Sequence, residues 1–220
     1  IGRWRVSTRH IEAVVETVRV TTTASMCLVL TRHLPMLMAA TPGVVISLLP
    51  SRAVLSLARR EAEIAIRMRT PPAEGRLVVR RLARVRVALY AAASLVPDDM
   101  SAELTALPVI GVARDERSRT AAALRRILGE RQPVAILDDT PLRLHACVAG
   151  LGVALLPCLP ADATPGLRRV AELPAEMDED AFLVMHEDLA TSRPVRAVAD
   201  ALAALFRRER AALLGEVSPR

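Results

Sequence analysis

Thr21, Thr22, Thr23 and Ser25 place four hydroxyls within five residues, where a β-branched run gives way to an apolar one. A strand end that feeds a helix N-terminus offers unpaired backbone N–H groups beside such hydroxyls, and the helix dipole there favours an anion. Successive residues of a strand face opposite ways. Thr22, Thr23 and Ser25 are therefore the ligand candidates, Ser25 doubling as the helix N-cap, and Thr21 is assigned to packing. Arg67 closes the apolar run Glu63-Ile-Ala-Ile-Arg-Met68, where a guanidinium can grip a carboxylate with two parallel hydrogen bonds. Asp138, Asp139 and Thr140 stand before Pro141, an arrangement that starts a helix and offers acceptors.

A catalytic set is not assembled by these residue types. His186, Glu187 and Asp188 are consecutive, so they alternate in direction and cannot converge. His33 and His145 fall in helical stretches, and the spacing of the histidines does not suggest a metal site. No Ser or Cys stands in a nucleophile-elbow pattern. The 30 basic residues are all Arg, which removes Schiff-base lysines and Walker-type phosphate loops. No enzyme activity, metal or cofactor is expected.

Hydrophobic residues make up 52% and charged residues 25% of the 220, as in a globular chain. The net charge of +6 suits work near nucleic acid, but aromatics are only 2%. Trp4, Tyr90, Phe182 and Phe206 cannot supply a base-stacking surface, and any pocket must be aliphatic. Arg80, Arg81, Arg84 and Arg86 alternate along one run; a solvated sheet edge or a dimer contact is the expected role. Cys27, Cys147 and Cys158 lie in apolar stretches and read as buried thiols of a cytoplasmic protein. No apolar run reaches the ~18 residues of a membrane span. The start has neither an initiator Met nor the basic-then-apolar layout of a signal peptide, so preceding sequence is expected.

These groups need a scaffold. Residues 1–16 read as a connector. Strands are expected at 17–23, 44–49 and 63–68, with helices at 26–40 (Pro35 kinking it or marking a late first turn) and 53–62 between them. That β-α-β-α-β order implies a parallel sheet whose strand ends carry the ligand. Thr21–Ser25, then Ser51 and Arg52, then Arg67 and Met68 would share one rim. Residues 77–90 read as a strand or strand pair, with a loop at 97–99. Strands at 109–112, ending on Val112, at 134–137 and at 152–156 alternate with helices at 120–128 and 138–150. A strand at 182–185 and a helix at 194–214 close the chain. Two crossing strands, within 81–90 and 182–186, would join lobe I (17–84 and 186–214) to lobe II (85–185), leaving 215–220 as a tail. The result is an α/β protein of two Rossmann-like lobes with a cleft between them. Val112, Asp139 and Thr140 line the second lobe's side. Hydroxyls and Arg on one wall and acids on the other predict a ligand with a carboxylate and a polar donor, such as an amino or hydroxy acid.

Arg59-Arg-Glu-Ala-Glu-Ile-Ala-Ile-Arg67, Leu77-Val-Val-Arg-Arg-Leu82, Leu89-Tyr-Ala91, Val148-Ala-Gly-Leu-Gly-Val-Ala-Leu-Leu-Pro157 and His186-Glu-Asp-Leu189 with Pro194-Val-Arg-Ala-Val-Ala-Asp200 occur in this order. Together they resemble the effector-binding domain of LysR-type transcriptional regulators, over about residues 17–208. The resemblance implies a type-2 periplasmic-binding-protein fold in the cytoplasm, a small-molecule effector, and homodimers usually paired into homotetramers. It implies DNA contact only through a winged helix-turn-helix that is not in this chain. It aligns Ser25 with the family's ligand-contacting hydroxyl. Glu63 departs from the family's more frequent Asp. An extracytoplasmic solute-binding protein of the same fold is the alternative.

Overall fold

In the computed structural model, residues 16–51, 62–68, 76–96, 106–112, 119–129 and 131–216 are described. The β-branched run forms β1 (Glu16–Thr22), and the apolar one forms α1 (Ala24–Ala40). The N-cap is Thr23, not Ser25: Thr23 has extended backbone angles, and its hydroxyl accepts from the Met26 N–H at 3.3 Å. Of the four hydroxyl residues, Thr23 is the one at the β-to-helix switch in backbone angles, so Ser25 falls in the first turn. Pro35 lies inside α1. The N–H it lacks leaves the Thr31 carbonyl without its helical partner, but both positions are exposed.

β2 (Val44–Pro50) and β3 (Ile64–Arg67) flank β1 in parallel, β10 (Glu179–His186) runs antiparallel beside β3, and β4 (Leu77–Val85) takes the far edge. Val18, Val20, Ile64, Ile66 and Leu183 turn one face of this sheet to α1 and to α5 (Arg193–Arg208), forming the first core. Arg19 and Glu63 meet on the other face. The Arg19 backbone N–H donates to Glu63 Oε2 at 2.7 Å, and its guanidinium pairs with both carboxylate oxygens. Burial raises the Glu63 carboxyl, but the hydrogen bonds and charge of Arg19 outweigh it and hold the group below its ordinary value of 4.5. The pair therefore stabilises the fold above about pH 4.5, and its contribution disappears as pH falls through the folded-state value. Arg19 is 41% exposed, so solvent screening limits the effect to about 0.5–1 kcal/mol. Urea titrations between pH 3 and 7 are expected to show that loss in the parent, and a flatter acid limb in Glu63→Gln.

β5 (Val87–Ala92) begins the second lobe, and β8 (Ala154–Pro157) and β9 (Leu167–Glu172) pair with it on either side, both antiparallel. β6 (Ile110–Gly111) and β7 (Ala135–Ile136) are parallel. A bridge between Val109 and Val153 joins the two groups. β5 is apolar throughout because both its faces are covered. Leu89 and Ala91 pack toward α2 (Arg119–Leu128), and Ala88 and Tyr90 toward α3 (Thr140–Val148) and α4 (Cys158–Asp162). Cys147 and Cys158 are buried there as free thiols, and burial pushes Cys147 up to about 11.

Several expectations change. β10 starts at Glu179 and lies wholly in the first sheet, so residues 179–185 leave the second lobe. Of its leading acids, disfavoured in strands, Asp180 is held by Arg81 and Arg84 of β4. The second crossing is consequently the segment before β10, around the tight turn Ala175–Met177, and not 182–186. The first crossing falls at Arg86, between β4 and β5. α4 and β9 were not foreseen: one is a five-residue turn, and the other carries Arg168 and Arg169 in place of an apolar alternation. The closing helix breaks at Glu209 into α5 and α6 (Arg210–Leu213). The helix expected at 53–62, except Ala62, and the loop at 97–99 lie outside the described residues.

Candidate ligand cleft

At the ends of the parallel strands, Thr22 is fully buried and its carbonyl accepts from the Ser51 N–H at 2.8 Å, which ties the ends of β1 and β2 together. The Thr23 and Ser25 hydroxyls lie 3.0 Å apart over the α1 N-terminus, which has no acidic residue in its first turn. Thr23 accepts there from Met26, leaving its proton for an external acceptor or for Ser25. Arg67 ends β3 half-buried, and one of its terminal nitrogens is buried with no hydrogen-bond partner. Burial pushes its guanidinium below the ordinary value of 12.5, and it stays charged. A buried charged donor left unpaired costs about 1–3 kcal/mol or more, which points to an acceptor supplied from outside the chain.

Strand register divides these groups. Val20 pairs with Ile64 and Thr21 with Ala65. By the alternation of side chains, Arg67 shares its face with Thr21, while Thr22 shares the opposite face with Ile66. Met68 packs against the first core. The Thr21 and Thr22 hydroxyls are both buried without a hydrogen-bond partner. Packing alone does not account for Thr21, and Thr22 is directed toward the core side. Arg52 lies outside the described residues.

On the second lobe, Asp139 occupies the N-cap of α3 without a side-chain capping bond. The residue that organises this wall is Arg143, which is 5% exposed. It donates to the carbonyls of Leu137 and Asp138 at 2.8 Å each, and to the Thr140 hydroxyl at 2.9 Å. The acids themselves are exposed. A buried positive charge therefore sits against the backbone that carries Asp138 and against the Thr140 hydroxyl. Sequence reasoning missed Arg143 because nothing in its neighbours separates it from the other arginines. Its position three residues after Thr140 within the first turn is the one usable signal.

Val112 follows β6 and lines a different feature, a pocket of about 160 Å³ within the second lobe between α2 and β6–β7, with Gly111, Leu124, Leu128, Arg131 and Pro133. The arginines of β4 are engaged: Arg80 with Asp200, Arg81 and Arg84 with Asp180. That suits the reading of a solvated edge. Among the described residues no group of three or more His, Cys, Asp or Glu side chains could hold a metal, and no helix is long and apolar enough to cross a membrane.

A family profile described as the LysR substrate binding domain matches residues 12–207. No curated protein sequence matches. Among solved structures, the chain is similar to the regulatory domain of CrgA, a LysR-type transcriptional regulator from Neisseria meningitidis, with a TM-score of 0.70 and 21% identity over 86% of this chain and 98% of that one. It is also similar to the effector domain of AmpR of Pseudomonas aeruginosa, with a TM-score of 0.65 and 16% identity over 90% and 98%. The effector-binding domain of BenM with its effector benzoate gives a TM-score of 0.60 and 15% identity over 90% and 95%. With the family profile spanning most of its length and the two-lobed fold beneath it, the chain belongs to the LysR substrate-binding domain family, the effector-binding domain of LysR-type transcriptional regulators on a type-2 periplasmic-binding-protein fold.

Proposed function

We propose that this domain senses a small carboxylate in the cleft between its lobes, in the cytoplasm and without catalysis. The observation that carries this is the half-buried Arg67, with one buried nitrogen unpaired, on the strand beside the α1 N-terminus and its Thr23 and Ser25 hydroxyls. An effector acts only through a difference in its affinity for two states of the protein. The states proposed here are two arrangements of subunits in a DNA-bound oligomer, with DNA read by a helix-turn-helix outside residues 1–220.

The test is a thermal-shift series with acetate, pyruvate, benzoate and succinate. A ligand at about 100 times its Kd stabilises by about 2.7 kcal/mol, roughly 5–10 °C for a chain of this size. Ser25→Ala and Arg67→Met are expected to lose that shift. Arg67→Met carries a second signature: it removes an unpaired buried charge, so the ligand-free protein should melt slightly higher than the parent. Neutral aromatics that stabilise the protein while carboxylates do not would overturn the proposal.

The proposed homodimer uses one side of the domain. Met38 of α1, Val45 of β2, Ile136 of β7, and Leu142 and Val148 of α3 are exposed, and α1 contacts both β2 and α3. Five large apolar side chains on adjoining elements, two of them on the edge strands β2 and β7, support a self-complementary contact of two copies. Ile136→Glu together with Val45→Glu is expected to shift the sedimentation coefficient to that of a monomer with the fold intact.

A further inference from the structure

We infer that the C-terminal segment Glu209–Gly215 is a strap that holds the two lobes at one angle. A hinge requires a few residues free to change their backbone angles. The first crossing offers none at its central residue. The Arg86 N–H donates to the Leu213 carbonyl at 2.9 Å, and the Arg86 carbonyl accepts from the Cys158 N–H at 3.0 Å. Its guanidinium forks onto both oxygens of Asp178 at 3.2 and 3.1 Å, and the Asp178 side chain, in the second crossing, is 2% exposed. The two crossings are thus tied to each other, and the first is tied to the strap.

The strap itself spans the lobes. Its Leu213 sits in the first core, and that same core takes in Leu159 from α4 of the second lobe. At its far end the Gly215 carbonyl accepts from Arg169 of β9 at 3.0 Å. Arg169 is fixed in turn by Asp162 and by the Tyr90 hydroxyl, which donates to Asp162 at 2.7 Å. Gly215 has φ +63°, and a Cβ there would stand 2.7 Å from the Arg169 guanidinium and 3.0 Å from Cys158 Sγ. At the near end Glu209 lies 3.4 Å from His33 of α1. A chain that leaves the last helix of one lobe and is bonded to the other acts as a third connection, and three connections resist a rotation that two permit. The inference rests on these contacts and not on which ligand the cleft takes.

Spin labels at Arg126→Cys on α2 and Arg196→Cys on α5, both exposed positions, read the interlobe distance by double electron–electron resonance. Cys27→Ala removes the half-buried thiol from the background, and the other two cysteines are fully buried. The parent is expected to give one narrow distance. Gly215→Val, which displaces the strap but keeps Arg169, Asp162 and Tyr90, and Arg169→Met, which cuts the anchor, are expected to give a distribution roughly twice as broad or split in two. Arg80→Ala, which removes a pair inside the first lobe, keeps the parent's distribution. Narrow distributions in strap variants that still melt cooperatively overturn the inference. A measurement on the unsubstituted chain stands beside it: the Arg86 and Cys158 amides should exchange with deuterium as slowly as those of β5, and fast exchange at either one overturns the strap whether or not the variants fold.

Discussion

Gly152→Ala is expected to be the most damaging single substitution in the second lobe. Gly152 has φ +155° between the end of α3 and β8, and an added Cβ would lie 2.3 Å from the Pro108 carbonyl oxygen and 2.8 Å from its carbon. Those are backbone atoms, so no side-chain rotation relieves the clash. The chains on both sides are also committed: Val153 N–H donates to that same Pro108 carbonyl at 2.8 Å, and Ile110 N–H donates to Val153 at 2.9 Å. This pair of bonds is the junction between β6 and β8, so relief of the clash must open the second sheet at its middle. Strain at a glycine-only backbone position is about 1–3 kcal/mol, and the lost junction adds roughly 1 kcal/mol per hydrogen bond. A fall of about 3–5 kcal/mol in urea-extrapolated stability is expected. Gly150→Ala is the control. It has φ +80° but nothing within 4 Å of its Cβ, so it should lose only about 1 kcal/mol, the cost of a left-handed non-glycine residue. Equal losses at the two glycines would remove the contact argument.

Arg143→Met comes second, with a loss of about 3 kcal/mol. The substitution keeps the apolar stem and removes the head that satisfies two carbonyls and one hydroxyl. Each acceptor left unpaired in a buried setting costs about 1–3 kcal/mol, partly repaid as water enters beside the exposed Asp138 and Asp139. The effect should be local as well as global. Hydrogen exchange of the amides at the start of α3 is expected to quicken, while those of β1 and α1 in the other lobe keep the parent's rates. Arg143→Lys restores the charge but not the planar fork and should recover only part of the loss. Uniform acceleration across both lobes would mean that Arg143 supports the whole fold and not this wall.

The two glycine positions show where sequence reading works. Gly150 and Gly152 are visible in Ala-Gly-Leu-Gly as a break between helix and strand, because only a residue without Cβ takes a positive φ cheaply. That one of them is tolerant and the other is pressed against Pro108, more than forty residues earlier, is a matter of packing. The cleft divides in the same way. Thr23, Ser25 and Arg67 are proposed from residue type and position at strand ends. The capping role passed from Ser25 to Thr23 because capping depends on backbone angles at a single residue, and several hydroxyls in line cannot be ranked by type. Alternation sets Thr21 and Thr22 on opposite faces, but which of the two shares a face with Arg67 depends on the register of β1 against β3.

Local periodicity and turn chemistry were enough for the order of strands and helices, since apolar alternation, Pro and Gly act within a few residues. Composition excluded a lysine-based chemistry, since the chain has no Lys, and four aromatics are too few for a base-stacking surface. Arg143, the Arg86–Asp178 fork, the unforeseen β9 and the strap of α6 arise otherwise. All but Arg143 depend on a partner distant in sequence; Arg143 finds its acceptors within six residues, and there burial decides which of thirty arginines carries weight. A sequence records the arginine; its desolvation and its partner exist only after the lobes have packed.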